Sequence, residues 1–290
     1  MSDPKLFQSE IENQWCPGCP NYGILTALRR ALGALDLKPQ NVCLVSGIGQ
    51  AAKLPHYVRA NVFNGLHGRA IPAAVGIAVA NPTLSTIVTS GDGDLYGEGG
   101  NHFLHALRRN PDITVIVHNN QLYALTKGQA SPTTPRGERT RLQFDGVEVD
   151  PAHMLATAVV HGCTFVARGF AGDIDDLASL IERAVSHRGL SILEVIQPCI
   201  TWGRHSVEEV RELLEPAGEA HDTTDRAAAI DLALRAPARL VTGVLYELPA
   251  SPTFAQSWRD RVGDGPLHAC PPIDRAILEA EIDRLRVGAP

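Results

Sequence analysis

The sequence predicts an α/β fold, a parallel sheet with helices on both faces, and three observations carry that prediction. Helical and strand patterns alternate from residue 22 to residue 199, the order that builds a parallel sheet covered by helices on both sides. At the centre lies a complete strand–turn–helix–strand unit. It comprises an apolar run over 85–89, the turn Gly91-Asp92-Gly93-Asp94, a helical segment over 98–110 and a second apolar run over 113–117 closing in Asn119-Asn120-Gln121. A second glycine turn, Gly47-Ile48-Gly49, follows another apolar run. Parallel strands joined through helices bring their carboxyl ends to one edge of the sheet, where open α/β sheets bind ligands.

In order, residues 1–15 are polar and irregular and end at Trp15. Cys16-Pro17-Gly18-Cys19-Pro20 precedes an amphipathic helix over 22–35, and 41–46 reads as a buried strand. Cys43 lies inside that strand and reads as a small buried hydrophobe. Residues 53–57 and 64–69 are connections, the second carrying His67-Gly68-Arg69, whose cationic side chains suit an anionic ligand. The small apolar stretch 70–80 is a helix that can pack closely on the sheet. Residues 123–134 form a polar loop too long for a plain connection. The charged stretch 135–150 crosses the surface. Helices over 152–161 and 174–186 alternate with strands over 164–168 and 191–196, the last ending in Gln197-Pro198-Cys199. Past Thr201 the patterning weakens: helices over 207–214 and 226–235, a strand over 240–247, and a tail over 271–286 that closes in a helix. Two regions are expected, 1–202 with the sheet and its motifs and a C-terminal helical and strand extension over 203–290, packing on the domain or on a partner subunit.

The chain of 290 residues is 44% hydrophobic and 20% charged, the make-up of an ordinary soluble protein. Its net charge of −6 offers no general attraction to nucleic acid. Met1-Ser2-Asp3-Pro4-Lys5 is not the start of a signal peptide, and no apolar run approaches the ~20 residues that cross a bilayer. The expected location is cytoplasmic, away from membranes, where six cysteines serve as ligands or buried thiols rather than disulfides.

Asp92 and Asn120 end neighbouring strands. A carboxylate and an amide oxygen suit a hard cation such as Mg²⁺ that keeps phosphate oxygens as its other ligands. The pair resembles the diphosphate-binding motif of thiamine diphosphate enzymes. That resemblance implies the diphosphate-domain type of thiamine diphosphate-binding fold, with Mg²⁺ held by Asp92, Asn120 and the main-chain carbonyl of Leu122. The Cys16–Cys19 pair by itself is open to three readings: a redox dithiol, half a zinc site, or two thiolates of an iron–sulfur cluster.

A wider set of motifs resembles the β subunit of the 2-oxoacid:ferredoxin oxidoreductases, in register across residues 15–202. It comprises Trp15-Cys16-Pro17-Gly18-Cys19, Gly47-Ile48-Gly49, His67-Gly68-Arg69, Gly91-Asp92-Gly93-Asp94, Arg108-Arg109-Asn110, Asn119-Asn120, Thr126-Lys127-Gly128-Gln129 with Ser131-Pro132-Thr133, and Gln197-Pro198-Cys199. The resemblance implies coenzyme A-dependent oxidative decarboxylation of a 2-oxoacid to acyl-CoA and CO₂. Electrons leave through a [4Fe–4S] cluster to ferredoxin, and the reaction is reversible as reductive carboxylation. It places cofactor contacts at Gly47, Ile48, Gly49, His67, Gly91, Asp92, Gly93, Asp94, Asn120, Leu122, Leu125 and Thr126. It also implies a separate α subunit that completes the cofactor site in an αβ or (αβ)₂ assembly, without which this chain is inactive.

The cluster ligands implied are Cys16, Cys19 and Cys199, and there the sequence departs from the family. The position after Gly47-Ile48-Gly49 is Gln50 rather than cysteine, and Cys43 lies ~20 Å of extended strand away. Three outcomes stay open: a four-iron cluster with a non-cysteine or exogenous fourth ligand, a [3Fe–4S] cluster, or loss of the cluster. Three retained thiols favour a bound cluster. Lys127 and Lys53, at the same sheet edge as His67, would suit a second substrate carboxylate, so 2-oxoglutarate is expected ahead of pyruvate. The alternatives are a pyruvate-specific member of the family, a non-redox thiamine diphosphate lyase or synthase subunit, and a dinucleotide-binding or regulatory module.

Overall fold

The computed structural model describes residues 3–249, 251–256, 259, 266, 269 and 274–286. Cys270 and the first residues of the predicted tail, 271–273, lie outside that set.

The central strands are β1 (Val42–Ser46), β2 (Asn61–Asn64), β3 (Ser85–Gly91) and β4 (Ile113–Asn119). A two-stranded hairpin, β5 (Leu122–Tyr123) and β6 (Gln129–Ala130), stands apart. Four more strands follow: β7 (Phe165–Phe170), β8 (Leu190–Ile196), β9 (Leu214–Pro216) and β10 (Leu240–Glu247). One eight-stranded sheet runs in the order β2-β1-β3-β4-β8-β7-β10-β9. From β2 to β7 every neighbouring pair is parallel.

The sheet is mostly parallel, as expected, and departs from that only at its far edge. β10 runs antiparallel to β7 and carries β9 parallel to itself. Alternation of helix and strand patterns fixes the elements and leaves open which way the last strands enter the sheet. Both of these strands come from beyond residue 203, so the sheet itself continues into the C-terminal segment.

Helices cover both faces as expected. They are α1 (Asn21–Ala34), α2 (Ala70–Ala80), α3 (Gly100–Arg109), α4 (Met154–Val160), α5 (Ile174–Ser186), α6 (Val207–Glu212), α7 (Arg226–Leu234) and α8 (Arg275–Leu285). Successive strand residues point to opposite faces, so strands buried on both sides read as continuous apolar runs. Ile87, Ile116 and Leu193 pack with Ile24 and Leu28 of α1 and Leu177 and Ile181 of α5. Their neighbours Val88, Val115, Val117 and Ile192 pack with Ala74 of α2, Phe103 of α3 and Ala229 of α7.

Local differences from the sequence reading have local causes. The helix expected over 98–110 is a π-helical turn, Gly93–Glu98, followed by α3, which ends where Asn110 adopts a left-handed φ of 47°. A 3-10 helix, Ala51–Tyr57, and the edge strand β2 fill the stretch read as connections; all four β2 residues are exposed, so β2 lacks an apolar signature. The helix expected to reach 214 ends at Glu212 and gives way to β9; its start is fixed by a capping box between Ser206 and Glu209. The carboxyl ends of β1, β3, β4 and β8 meet at one edge, and each is followed by one of the motifs found in the sequence.

Candidate active site

Asp92 follows directly on β3, and its side chain is 1% exposed. Its Oδ2 accepts hydrogen bonds from Ser131 Oγ and Thr133 Oγ1, both at 2.5 Å. Burial pushes the carboxyl up to about 6; the two hydroxyl bonds pull against that shift, and the nearby Glu194 carboxylate adds to it. A buried carboxylate in this condition favours either a proton or a cation. Beside it, a Cβ on Gly93 would stand 2.5 Å from the Tyr123 ring, so the turn can pass only as glycine.

Asn120 follows β4 at the same edge. Its Oδ1 accepts from the Leu122 backbone N–H at 3.0 Å around Gln121, which sits at a left-handed φ of 59°. Asp92 and Asn120 line one cavity of about 80 Å³, and all the cofactor-binding residues expected from the sequence line it except Gly47. Gly47 stands behind the wall, where a Cβ would lie 2.0 Å from Asp94 Oδ2. Asp94 is a strut between turns: it accepts from the backbone N–H of Ile48 at 3.2 Å and of Gly68 at 2.9 Å, and from Ser90 Oγ at 2.6 Å. His67 Nδ1 lies 3.2 Å from the same carboxylate. Neither Lys53 nor Lys127 lines the cavity. Lys53 Nζ lies 3.5 Å from the Gln14 carbonyl, and Lys127 is exposed beside Thr126 with a left-handed φ of 83°.

Cys16, Cys19 and Cys199 line a second, smaller cavity of about 30 Å³. Cys43 is buried in β1 and does not face it. Hydrogen bonds converge on all three sulfurs: Thr201 Oγ1 to Cys16 at 3.3 Å, Gln197 Nε2 to Cys19 at 3.8 Å, and the Trp202 N–H to Cys199 at 3.4 Å. Burial pushes the Cys19 thiol up to about 11, and the other two thiols add to the shift against a backbone bond that opposes it. Four thiolates on one zinc ion would sit about 3.8 Å apart, given Zn–S bonds of ~2.3 Å. Among the described residues the trio of potential ligands drawn within 4.8 Å is His67, Asp94 and Glu98, not the cysteines. At least one pair of the three sulfurs therefore stands farther apart than 4.8 Å, wider than the thiolates of a single zinc ion. Gln50, Asn120 and Ala124 line both cavities, so the two sites are one residue apart.

Sequence reasoning assigned no role to Ser131 and Thr133, or to the buried chain behind them. Thr133 Oγ1 also lies 3.0 Å from Asn119 Oδ1, Asn119 Nδ2 donates to Glu194 Oε2 at 3.1 Å, and Arg168 Nε donates to Glu194 Oε1 at 2.9 Å. The signal was available: Arg168 and Glu194 are ionic residues inside strands whose other residues are buried and mostly apolar.

Residues 44–195 match the family model described as the C-terminal TPP-binding domain of thiamine pyrophosphate enzymes. The chain is 38% identical over 268 residues to the 2-oxoacid:ferredoxin oxidoreductase 1 subunit beta of Aeropyrum pernix, covering 88% of this chain and 84% of that protein. It is 39% identical over 208 residues to the 2-oxoglutarate oxidoreductase subunit KorB of Mycobacterium tuberculosis, covering 72% of this chain and 56% of that protein. A solved structure of 2-oxoglutarate:ferredoxin oxidoreductase from Magnetococcus marinus, with 2-oxoglutarate, coenzyme A and succinyl-CoA bound, superposes with a TM-score of 0.90 at 35% identity, over 97% of this chain and 96% of that one.

Proposed function

The chain belongs to the β subunits of the 2-oxoacid:ferredoxin oxidoreductases, thiamine diphosphate-dependent enzymes that act as multi-subunit complexes, and from that premise we propose that its own site works on 2-oxoglutarate. The reaction is coenzyme A-dependent oxidative decarboxylation to an acyl-CoA and CO₂, with electrons passing through an iron–sulfur cluster to ferredoxin and the reverse carboxylation open to the same residues.

Asp92, Asn120 and the Leu122 carbonyl would hold Mg²⁺ on the cofactor diphosphate. A buried carboxylate raised by its surroundings and a glycine-shaped turn beside it support that assignment. When bound, thiamine diphosphate supplies the electron sink that lets carbon dioxide leave. Ser131 and Thr133 orient Asp92 and hold it ionised, and Asp94 keeps the Gly47 and Gly68 turns at the distance the ligand needs. Cys16, Cys19 and Cys199 would hold the cluster. Lys127, His67 and Lys53 are assigned to the substrate side of the rim, where cations favour a second carboxylate. A larger cavity of about 340 Å³ adjoins both sites and has Arg139, Arg141 and Arg204 in its wall, a lining suited to the phosphates of coenzyme A. Residues 203–290 are read as an extension that completes the sheet through β9 and β10 and reaches toward the α subunit through α8, whose Ile277, Leu278, Ile282 and Leu285 are exposed.

The observation that carries this reading is the wall shared by the two cavities. A redox enzyme needs its organic cofactor and its electron acceptor close together, and here they would be separated by Gln50, Asn120 and Ala124. The test is ferredoxin reduction by the anaerobically purified αβ complex with coenzyme A and 2-oxoglutarate or pyruvate. The expected outcome is reduction that requires thiamine diphosphate and prefers 2-oxoglutarate. Acyl-group chemistry without ferredoxin reduction, in a complex free of iron, would replace it with the non-redox reading.

A further inference from the structure

We propose that the side-chain oxygen of Gln50 is the fourth ligand of the cluster, binding one iron while Cys16, Cys19 and Cys199 bind the other three. The inference rests on the reading that those three thiols hold a cluster, and it assigns the corner they leave open.

Elimination within the cysteine cavity leads there. Three of its lining residues present thiols, and of the remaining side-chain oxygens all but one have partners. Asn21 Oδ1 is paired with His118 Nδ1 at 2.8 Å, and Asn120 Oδ1 accepts from the Leu122 N–H at 3.0 Å. Gln197 Oε1 faces Asn120 Nδ2 at 3.5 Å while its Nε2 donates to Cys19 and to the Pro198 carbonyl. The Thr201 hydroxyl donates to Cys16. Gln50 is the exception. Its Oε1 is buried and has no hydrogen-bond partner. A buried amide oxygen left without a partner is destabilising, so this one calls for a partner that the protein itself does not supply. The backbone of Gln50 is held in place meanwhile, because Trp15 Nε1 donates to its carbonyl at 2.8 Å. Trp15 directly precedes Cys16, so the same indole fixes the first thiol relative to the fourth corner.

An amide oxygen is a harder and weaker ligand for iron than a thiolate. It is also neutral, so the cluster carries one negative charge fewer than a four-thiolate cluster, which makes it easier to reduce. The iron on Gln50 would therefore be the one that exchanges, and Gln50 itself also lines the cofactor cavity.

The test uses the αβ complex purified anaerobically after growth on ¹³C-labelled glutamine, read by iron and sulfide analysis and by pulsed electron paramagnetic resonance of the reduced form. Wild type is expected to carry about four irons per cluster and a carbon coupling from one labelled side chain. That coupling is expected to vanish in Gln50→Ala, which should lose one iron to a chelator at least tenfold faster than wild type. Gln50→Glu should retain the iron, and Gln50→Cys should shift the reduction potential to more negative values. A full cluster without the coupling, or a three-iron cluster in wild type, overturns the role of Gln50 and leaves the cluster reading standing. A wild-type complex without iron overturns both.

Discussion

The Gln197 side chain donates Nε2–H to the Cys19 sulfur across 3.8 Å while its Oε1 faces Asn120 Nδ2 at 3.5 Å. A single carboxamide therefore touches one residue of each cavity. Hydrogen bonds to cluster sulfurs stabilise the more negatively charged, reduced state. Gln197→Leu is expected to lower the cluster reduction potential by about 40 mV, the one-electron equivalent of a hydrogen bond worth ~1 kcal/mol. A redox titration followed by electron paramagnetic resonance checks this; an unchanged potential would mean the contact is idle.

The Asp92 carboxyl is raised to about 6 from its ordinary 3.8, with burial as the main cause. In the cofactor-free complex a proton on Asp92 relieves that burial. The stabilising contribution of the protonated form is complete below pH ~4 and is lost as pH rises through ~6, a change on the order of 3 kcal/mol. Mg²⁺ held at Asp92, as proposed, would replace the proton, so cofactor affinity should fall as pH drops through ~6. Melting temperatures of loaded and cofactor-free complex should diverge as pH rises from about 5 to 8. Asp92→Asn should flatten the cofactor-free profile and retain no cofactor.

Arg168 and Glu194 form an ion pair whose side chains are 4% and 6% exposed. Removing one partner of a buried pair leaves a charge uncompensated and costs about 3–5 kcal/mol, whereas replacing both by apolar residues of similar size can be neutral. Glu194→Gln is therefore expected to lower stability more than the double variant Arg168→Met/Glu194→Leu. Denaturant titration of the three proteins settles the order.

Lys127 sits at a left-handed φ of 83°, a conformation that costs a non-glycine residue about 1–2 kcal/mol. Lys127→Gly should relieve that cost and leave the melting temperature level or higher. If the ammonium serves the second carboxylate of the substrate, the same change should raise KM for 2-oxoglutarate by roughly tenfold and leave KM for pyruvate near its starting value, a loss of about 1.4 kcal/mol. Equal effects on both substrates would remove the charge argument.

The sheet was legible because its strands are buried on both faces: uninterrupted apolar runs such as 191–196 allow little but a central strand. β2 and β9 were not legible, since edge strands of exposed or mixed residues lack that signature. The direction of β10 depends on pairing with β7, which is distant in sequence, and no local pattern encodes it. In the site, Asp92 and Asn120 stood out because they end consecutive strands. Ser131 and Thr133 were visible as part of a long polar loop and of the Ser131-Pro132-Thr133 motif, without a role, and their bonds to Asp92 arise from the fold of that loop back over β3 and β4. The unpaired oxygen of Gln50 is a property of three dimensions alone: the sequence shows where the residue differs, not that its amide is left unsatisfied.

Gln50, Asn120 and Ala124 each face two chambers. Variation at these positions is consequently pleiotropic. On the proposed assignment, a substitution selected for tighter cofactor retention would alter the electron acceptor in the same stroke, and tuning the acceptor would reshape the place where carbon chemistry occurs. The two halves of the enzyme can drift only together across this partition, and a screen that monitors just one of them will misattribute what it finds there.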